Sequence, residues 1–292
     1  MTVFETLWYQ GRMDTDAACR LALVDSHVHY CDCFDAAAFF TSAFRNLRAQ
    51  ADRLGAPAAF VLLLAETEGK DWFGEMFSLA GSDAPFAAGA FRLERTDEAD
   101  SLRVVSPGGE RLFLVAGRQI VTAESLEVLA LGTTETFAAA GPVEAVLDDV
   151  RRAGALAVLP WGAGKWWGKR GRIVNDILRS RREGRLWLAD SGTRPVFWPR
   201  PSLFGEAERR GVEILAGTDP LPVPGEEKRV GSFGFSLPLA LSAGRPWNDL
   251  RECLAGRAAS VTAYGRRESP SAFFLNQLRL RSGAGRAKGR GR

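Results

Sequence analysis

The strongest constraint on the fold is an alternation of short apolar runs with segments of helical periodicity, sustained over about 250 residues. Leu21 to Val24 is a run of four apolar residues that turns polar at Asp25-Ser26-His27-Val28-His29, as a buried strand does where it emerges at its C-terminal end. A helix follows: Asp35 stands as its N-cap, Phe40, Phe44, Leu47, Ala51 and Leu54 recur at spacings of four and three, and Gly55 provides the stop. Ala59 to Ala65 is a second buried strand, closed by Glu66, Thr67 and Glu68. Later come a helix from Pro142 to Ala153, a strand at Leu156 to Leu159 and a helix around Ile173 to Arg182. A strand at Arg185 to Ala189, a short helix near Ser202 to Arg210 and a strand at Val212 to Ala216 complete the series.

Two regions break the rhythm. SLRVVSPGGERLFLVAG reads as two strands around the Pro107-Gly108-Gly109 turn, and RQIVTAESLEVLALGT supplies one or two more. Residues 235–280 read as mainly helical, with Pro246 opening one helix and SAFFLNQLRLR forming another. Such a chain can become a (β/α) barrel or a doubly wound sheet. No GxGxxG turn follows the first strand, and polar residues gather just past the strands: Asp25, His27 and His29; Glu66 and Glu68; Asp190; Asp219. Strand ends converge on one mouth only in a barrel, so the expectation is α/β: a distorted (β/α) barrel, one domain over residues 1–280, with a β-hairpin insertion around residues 91–122.

Composition narrows the setting. The longest apolar run, Ala58 to Ala65, has eight residues, against the roughly 20 needed to cross a bilayer. The start, MTVFETLWYQGRMD, shows no basic segment leading into an apolar core, which together with four scattered cysteines predicts a cytoplasmic protein with no membrane partner. The net charge of +3 comes from the last residues, where Arg281, Arg286, Lys288, Arg290 and Arg292 face no acid. Residues 281–292 therefore read as a disordered basic tail, and as the one place where nucleic acid could be bound.

Histidine is the scarce residue. His27 and His29 are the only two, which excludes any site built on three or more. In an extended segment alternate side chains share a side, so both imidazoles can grip one ion. Asp219, in Gly217-Thr218-Asp219-Pro220 just past the last clear strand, is placed to join them as a ligand or as a base toward a water. Cys31 and Cys33 continue the alternation, but four ligands along one extended strand span about 20 Å, too far for one tetrahedral ion unless the chain bends.

The order of these motifs resembles the PHP (polymerase and histidinol phosphatase) domain, a metal-dependent barrel of amidohydrolase-like character. DSHVH is similar to its first-strand DxHxH, AETE falls where TDHD would lie, GRQIVT where GxE(I/V) would, LAVLPWG where AVxAHP would, and AGTDPL where GSDxH would. The ligand set is depleted: Thr67, Gln119, Leu159 and Leu221 stand where that family has His, Glu, His and His. The resemblance implies a hydrolase, plausibly a phosphoesterase, but with ligands for a single divalent ion (zinc, manganese or iron) at His27, His29 and Asp219. Asp190 or Glu66 would orient the attacking water or take its proton, and Lys165, Arg194 and Arg229 would hold a small anionic substrate. The alternative is a barrel of the same descent that has lost catalysis and serves as a binding or regulatory module.

The loop from Trp161 to Arg172 follows a strand, precedes a helix and is rich in Gly, Trp and Lys. It fails the phosphate-loop template, because Lys169 is followed by Arg rather than Ser or Thr and Ala163 stands where the first Gly should be. Lys165 and the backbone there could still receive an anion, and its tryptophans could wall off a substrate.

Overall fold

The computed structural model describes residues 20–82, 86–180, 186–256 and 260–281. The beginning of the chain and the basic tail beyond Arg281 lie outside the described residues. In chain order the elements are β1 (Ala22–Val28), α1 (Ala36–Leu54), β2 (Ala59–Leu64), α2 (Trp72–Leu79), β3 (Arg92–Arg95), β4 (Ser101–Val105), β5 (Arg111–Val115), β6 (Gly117–Val121) and β7 (Glu127–Leu131). They continue with α3 (Val143–Arg152), β8 (Leu156–Pro160), α4 (Lys169–Arg179), β9 (Trp187–Ser191), α5 (Ser202–Arg209), β10 (Ile214–Gly217), β11 (Phe233–Leu237), α6 (Pro246–Ala255), β12 (Thr262–Gly265) and α7 (Pro270–Arg281). None of the described helices is long and apolar enough to cross a membrane.

The strands form two mixed sheets, in the orders β12-β11-β1-β2-β5-β4-β3 and β10-β9-β8-β7-β6, and no ladder closes them into the expected barrel. The cause lies in who occupies the edges of β1 and β2. β11 pairs antiparallel along the first half of β1, from Ala22 opposite Leu237 to Val24 opposite Phe235, while β2 takes the other edge. β2 in turn is filled by β5, so β2 has no free edge, and only the end of β1 beyond Val24 stays open, where β10 approaches without forming a ladder. Between the sheets there remain an isolated bridge from Glu66 to Arg118 and a hydrogen bond from Asp219 N–H to the His27 carbonyl at 2.8 Å. Antiparallel pairs β6–β7 and β7–β8 also interrupt the parallel order that a (β/α) barrel requires.

Burial follows this plan. β1 is buried at every position, because Leu23 and Val28 face a core shared with Phe39, Phe40, Phe44 and Leu47 of α1, whereas Ala22 and Val24 face a core between the sheets. That inter-sheet core joins Val61, Phe113 and Phe235 of one sheet to Leu129, Val158 and Leu215 of the other, and Trp247 of α6 is inserted into it. The indole sits so close to Gly132, at φ +81°, that any side chain there would overlap the ring. A third core fastens α3, α4 and α5 onto the smaller sheet through residues such as Val150, Val174 and Phe204.

α1 begins and ends where its sequence says: Asp35 accepts from Ala38 N–H at 2.7 Å, and Gly55 adopts the left-handed conformation. Residues 92–121 form four strands, of which β3, β4 and β5 extend the larger sheet and β6 starts the smaller one. In 235–280, α6 and α7 are joined by β12, and the stretch opens on the end of β11.

Candidate metal centre

β1 positions the first two donors. Its pairing with β2 shifts register between Asp25 and Val28, so the chain leaves regular extension where the histidines emerge. His27 Nε2 lies 3.0 Å from His29 Nε2. Asp219 Oδ1 lies 3.6 Å from the first nitrogen and 3.4 Å from the second. Donors bound at about 2.1 Å to one tetrahedral ion are separated by roughly 3.4 Å, so the triangle has the dimensions of a coordination face. Two imidazoles and one carboxylate leave a single negative charge toward a divalent cation. The donor set fits one such ion.

The approach of β10 to β1 depends on Gly217, where a Cβ would lie 2.4 Å from the His27 nitrogen. Ser26 Oγ donates to the Ala216 carbonyl at 2.9 Å on the same junction. Asp219 itself takes φ +51°, a left-handed conformation that costs a non-glycine residue energy but that Asp tolerates better than most. Ser191 Oγ, at the end of β9, donates to its second oxygen at 2.8 Å and fixes its orientation.

Asp25 shares the parity of the histidines but takes no part in the triangle. It is fully buried and accepts from Thr218 N–H at 2.8 Å, Thr218 Oγ1 at 2.5 Å and Gly231 N–H at 2.9 Å. Burial pushes its carboxyl up to about 6, against the pull of these donors. For His27, burial lowers the pKa and favours the neutral imidazole, outweighing the attraction of Asp219. Burial works in the opposite direction on Asp219, but His27, His29 and Ser191 overcome it and hold the carboxyl well below the ordinary range. Neutral imidazole beside ionised carboxylate is the state that a cation requires of its ligands.

The remaining expected site residues are each engaged. Glu66 is buried, accepts from Phe73 N–H at 2.8 Å and pairs with Arg118. Asp190 and Arg194 form a two-pronged pair at 2.7 and 2.5 Å, and Arg194 also donates to the Trp198 carbonyl. Lys165 pairs with Glu127. Arg229 spans Glu226, Glu268 and the Gly192 carbonyl. Cys31 and Cys33 pack at the border of the α1 core, and among the described residues only His27, His29 and Asp219 form a possible metal cluster.

Several contributors are not apparent from the sequence. Gln119, which stands there only as the replacement of a ligand, places Oε1 3.3 Å from His27 Nε2. Glu127 lies on the same face of the β6–β7 hairpin by strand parity and acts on His27 electrostatically. Ser191 and Gly217 could have been suspected from their place at strand ends. The use of Thr218 as a partner for Asp25 had no local signal.

No family model and no curated protein matches the chain. Among solved structures the fold is similar to that of PsfC from Pseudomonas syringae PB-5123, at 14% identity over 90% of this chain and 99% of that one, with a TM-score of 0.52. It is similar also to the lesion-specific endonuclease PfuEndoQ from Pyrococcus furiosus, at 7% identity over 84% of this chain and a TM-score of 0.51; there the match spans 59% of the neighbour's length. At these identities the likeness is one of fold.

Proposed function

We propose that the chain is a metal-dependent hydrolase of PHP-like character that acts on a small anionic substrate, by preference a phosphoester, at His27, His29 and Asp219. The observation that carries this reading is the convergence of three donors of the right chemistry from two different sheets onto one triangle. A divalent cation bound there supplies Lewis acidity, making a water nucleophilic near neutral pH. The protein's own part is to present that triangle, with Ser191 orienting Asp219 and Gln119 abutting His27.

In this reading Asp190 or Glu66 takes the proton from the attacking water, while Lys165, Arg194 and Arg229 meet the anion. Each would first exchange its present partner: Asp190 and Arg194 release one another, and Lys165 releases Glu127. The endonuclease among the structural neighbours shares the fold alone, and the reading rests on the donor triangle.

One observation favours a second reading, a binding module without catalysis. The Gln119 side-chain oxygen beside His27 Nε2 can accept a hydrogen bond from a protonated Nε2–H, which a ligand role would forbid. Metal analysis of protein purified without chelator separates the two. The hydrolase reading expects close to one equivalent, lost in His27→Ala; less than about a tenth of an equivalent in the wild type would overturn it. Turnover of a generic aryl phosphate, abolished by chelator and restored by the ion, would then fix the reaction class.

A further inference from the structure

A cleft of about 590 Å³ opens between the loop after β8 and the loop after β9. Its walls are indoles. Trp161 and Trp166 are nearly buried, whereas Trp167 is 61% exposed and stacks on Trp198 with 5.7 Å between centroids and 25° between planes. A flat aromatic surface left in water is the mark of a binding site rather than of a core.

The charge of the cleft identifies its ligand. Arg172 and Arg200 line it, and none of its described lining residues is acidic. Arg200 is held by Glu208, but the Arg172 guanidinium has no partner among the described residues. α4 and α5 both start at this rim, after Gly168 and Pro201, and neither carries a side-chain cap, so their free N–H groups add to the positive potential. A neutral sugar could stack on the indoles but would leave Arg172 unused. An inorganic anion would use Arg172 and leave the indoles idle.

We propose that this cleft binds a nucleoside phosphate, its base stacked against the Trp167–Trp198 pair and its phosphate held by Arg172. The ligand is either a free nucleotide or a unit of a single strand, since both offer a π-face joined to a phosphate. The site stands apart from His27, His29 and Asp219 and requires no ion there. It does lie on the same strand-end face: Trp161 sits under Arg194 at 5.9 Å, whose partner Asp190 precedes Ser191, the residue bonded to Asp219.

The test is titration of the full chain with AMP in the presence of chelator, followed by tryptophan fluorescence and by calorimetry. The expected result is saturable quenching, with adenosine and inorganic phosphate each binding at least about tenfold more weakly than AMP. Trp167→Ala and Arg172→Ala, both checked for folding by circular dichroism, should each weaken AMP binding by at least about fivefold in calorimetry. A single-stranded oligonucleotide that binds more tightly than AMP supports the proposal with a strand as the source; equal or weaker binding supports it with the free nucleotide. Absence of saturable AMP binding up to about 5 mM, or unchanged affinity in both variants, would overturn it. Because chelator is present throughout, the outcome is independent of whether the metal centre works.

Discussion

Asp25 holds Thr218 by two bonds at once, one carboxylate oxygen taking the backbone N–H at 2.8 Å and the other the hydroxyl at 2.5 Å. The residues are 193 positions apart, one in β1 and the other just past β10, so this contact ties the end of β1 to the turn that carries Asp219. Replacing Asp25 by Ala strands the Thr218 and Gly231 N–H groups in a buried setting. The expected loss is about 3 kcal/mol in urea unfolding, and Thr218→Val should cost about 1 kcal/mol. A loss for Asp25→Ala no larger than that for Thr218→Val would show that the junction does not depend on the carboxylate.

Gly217 should tolerate no side chain. With a Cβ placed 2.4 Å from the His27 nitrogen and 2.7 Å from its Cβ, Gly217→Ala forces β10 away from β1. The overpacking should cost about 2 kcal/mol and disperse the donor triangle. Metal uptake by the variant, measured by dialysis against the ion, is expected to fall with stability; full uptake at wild-type stability would show that the close approach of the two strands does not constrain the site.

Asp219→Asn separates binding from folding. Asn accepts the left-handed backbone as readily as Asp, so unfolding should shift by less than about 1 kcal/mol. Loss of the anionic donor should lower metal affinity by at least about tenfold. An affinity unchanged in a competition assay with a fluorescent chelator would remove Asp219 from the ligand set.

Arg118 tests the ion pair that holds Glu66. It pairs with Glu66 and Asp71 and donates to the carbonyls of Lys70 and Thr134. Arg118→Ala leaves the nearly inaccessible Glu66 carboxylate without its cation, at an expected cost of about 3 kcal/mol. Glu66 is already drawn upward by burial, so the variant should bind a proton there more readily and lose most of its stability at the higher pH values. Chemical denaturation at pH 5 and pH 8 checks the sign.

Cys31 should be a poor nucleophile. Burial pushes the Cys31 thiol up to about 12, with Cys33 and Asp32 adding to the shift. At pH 7.5 its thiolate is about three parts in a hundred thousand, so alkylation by iodoacetamide should rise with pH and show no plateau below about pH 10. Mass spectrometry of the peptide containing Cys31 gives the rate; a plateau near pH 8 would contradict the burial effect.

Local chemistry was legible in the sequence where it acts over a few residues. Asp35 and Gly55 delimit α1 because a cap and a left-handed stop are properties of single positions. His27, His29 and Asp219 could be read because each follows an apolar strand and imidazole and carboxylate are common cation ligands. Strand direction could not be read in the same way. Nothing in GRQIV or EVLAL states that β7 will run antiparallel to both neighbours, and the short Phe233–Leu237 segment gives no notice that it will take the edge of β1. The partners of Asp190, Lys165 and Glu66 were hidden for a related reason: ion pairing is settled by which loops meet, and residues selected for charge at a strand end find one another before they find a substrate.

The two sheets share one core and meet near their strand ends through the Glu66–Arg118 bridge, the His27–Asp219 hydrogen bond and the Asp25–Thr218 pair. His27 and His29 belong to one cover of this book, and Asp219 to the other. An ion gripped by all three is therefore a clasp: it draws its binding energy from the closed arrangement alone and returns that energy as resistance to opening. Occupancy of the site and the stability of the junction between the sheets are in that sense a single equilibrium, read from either end.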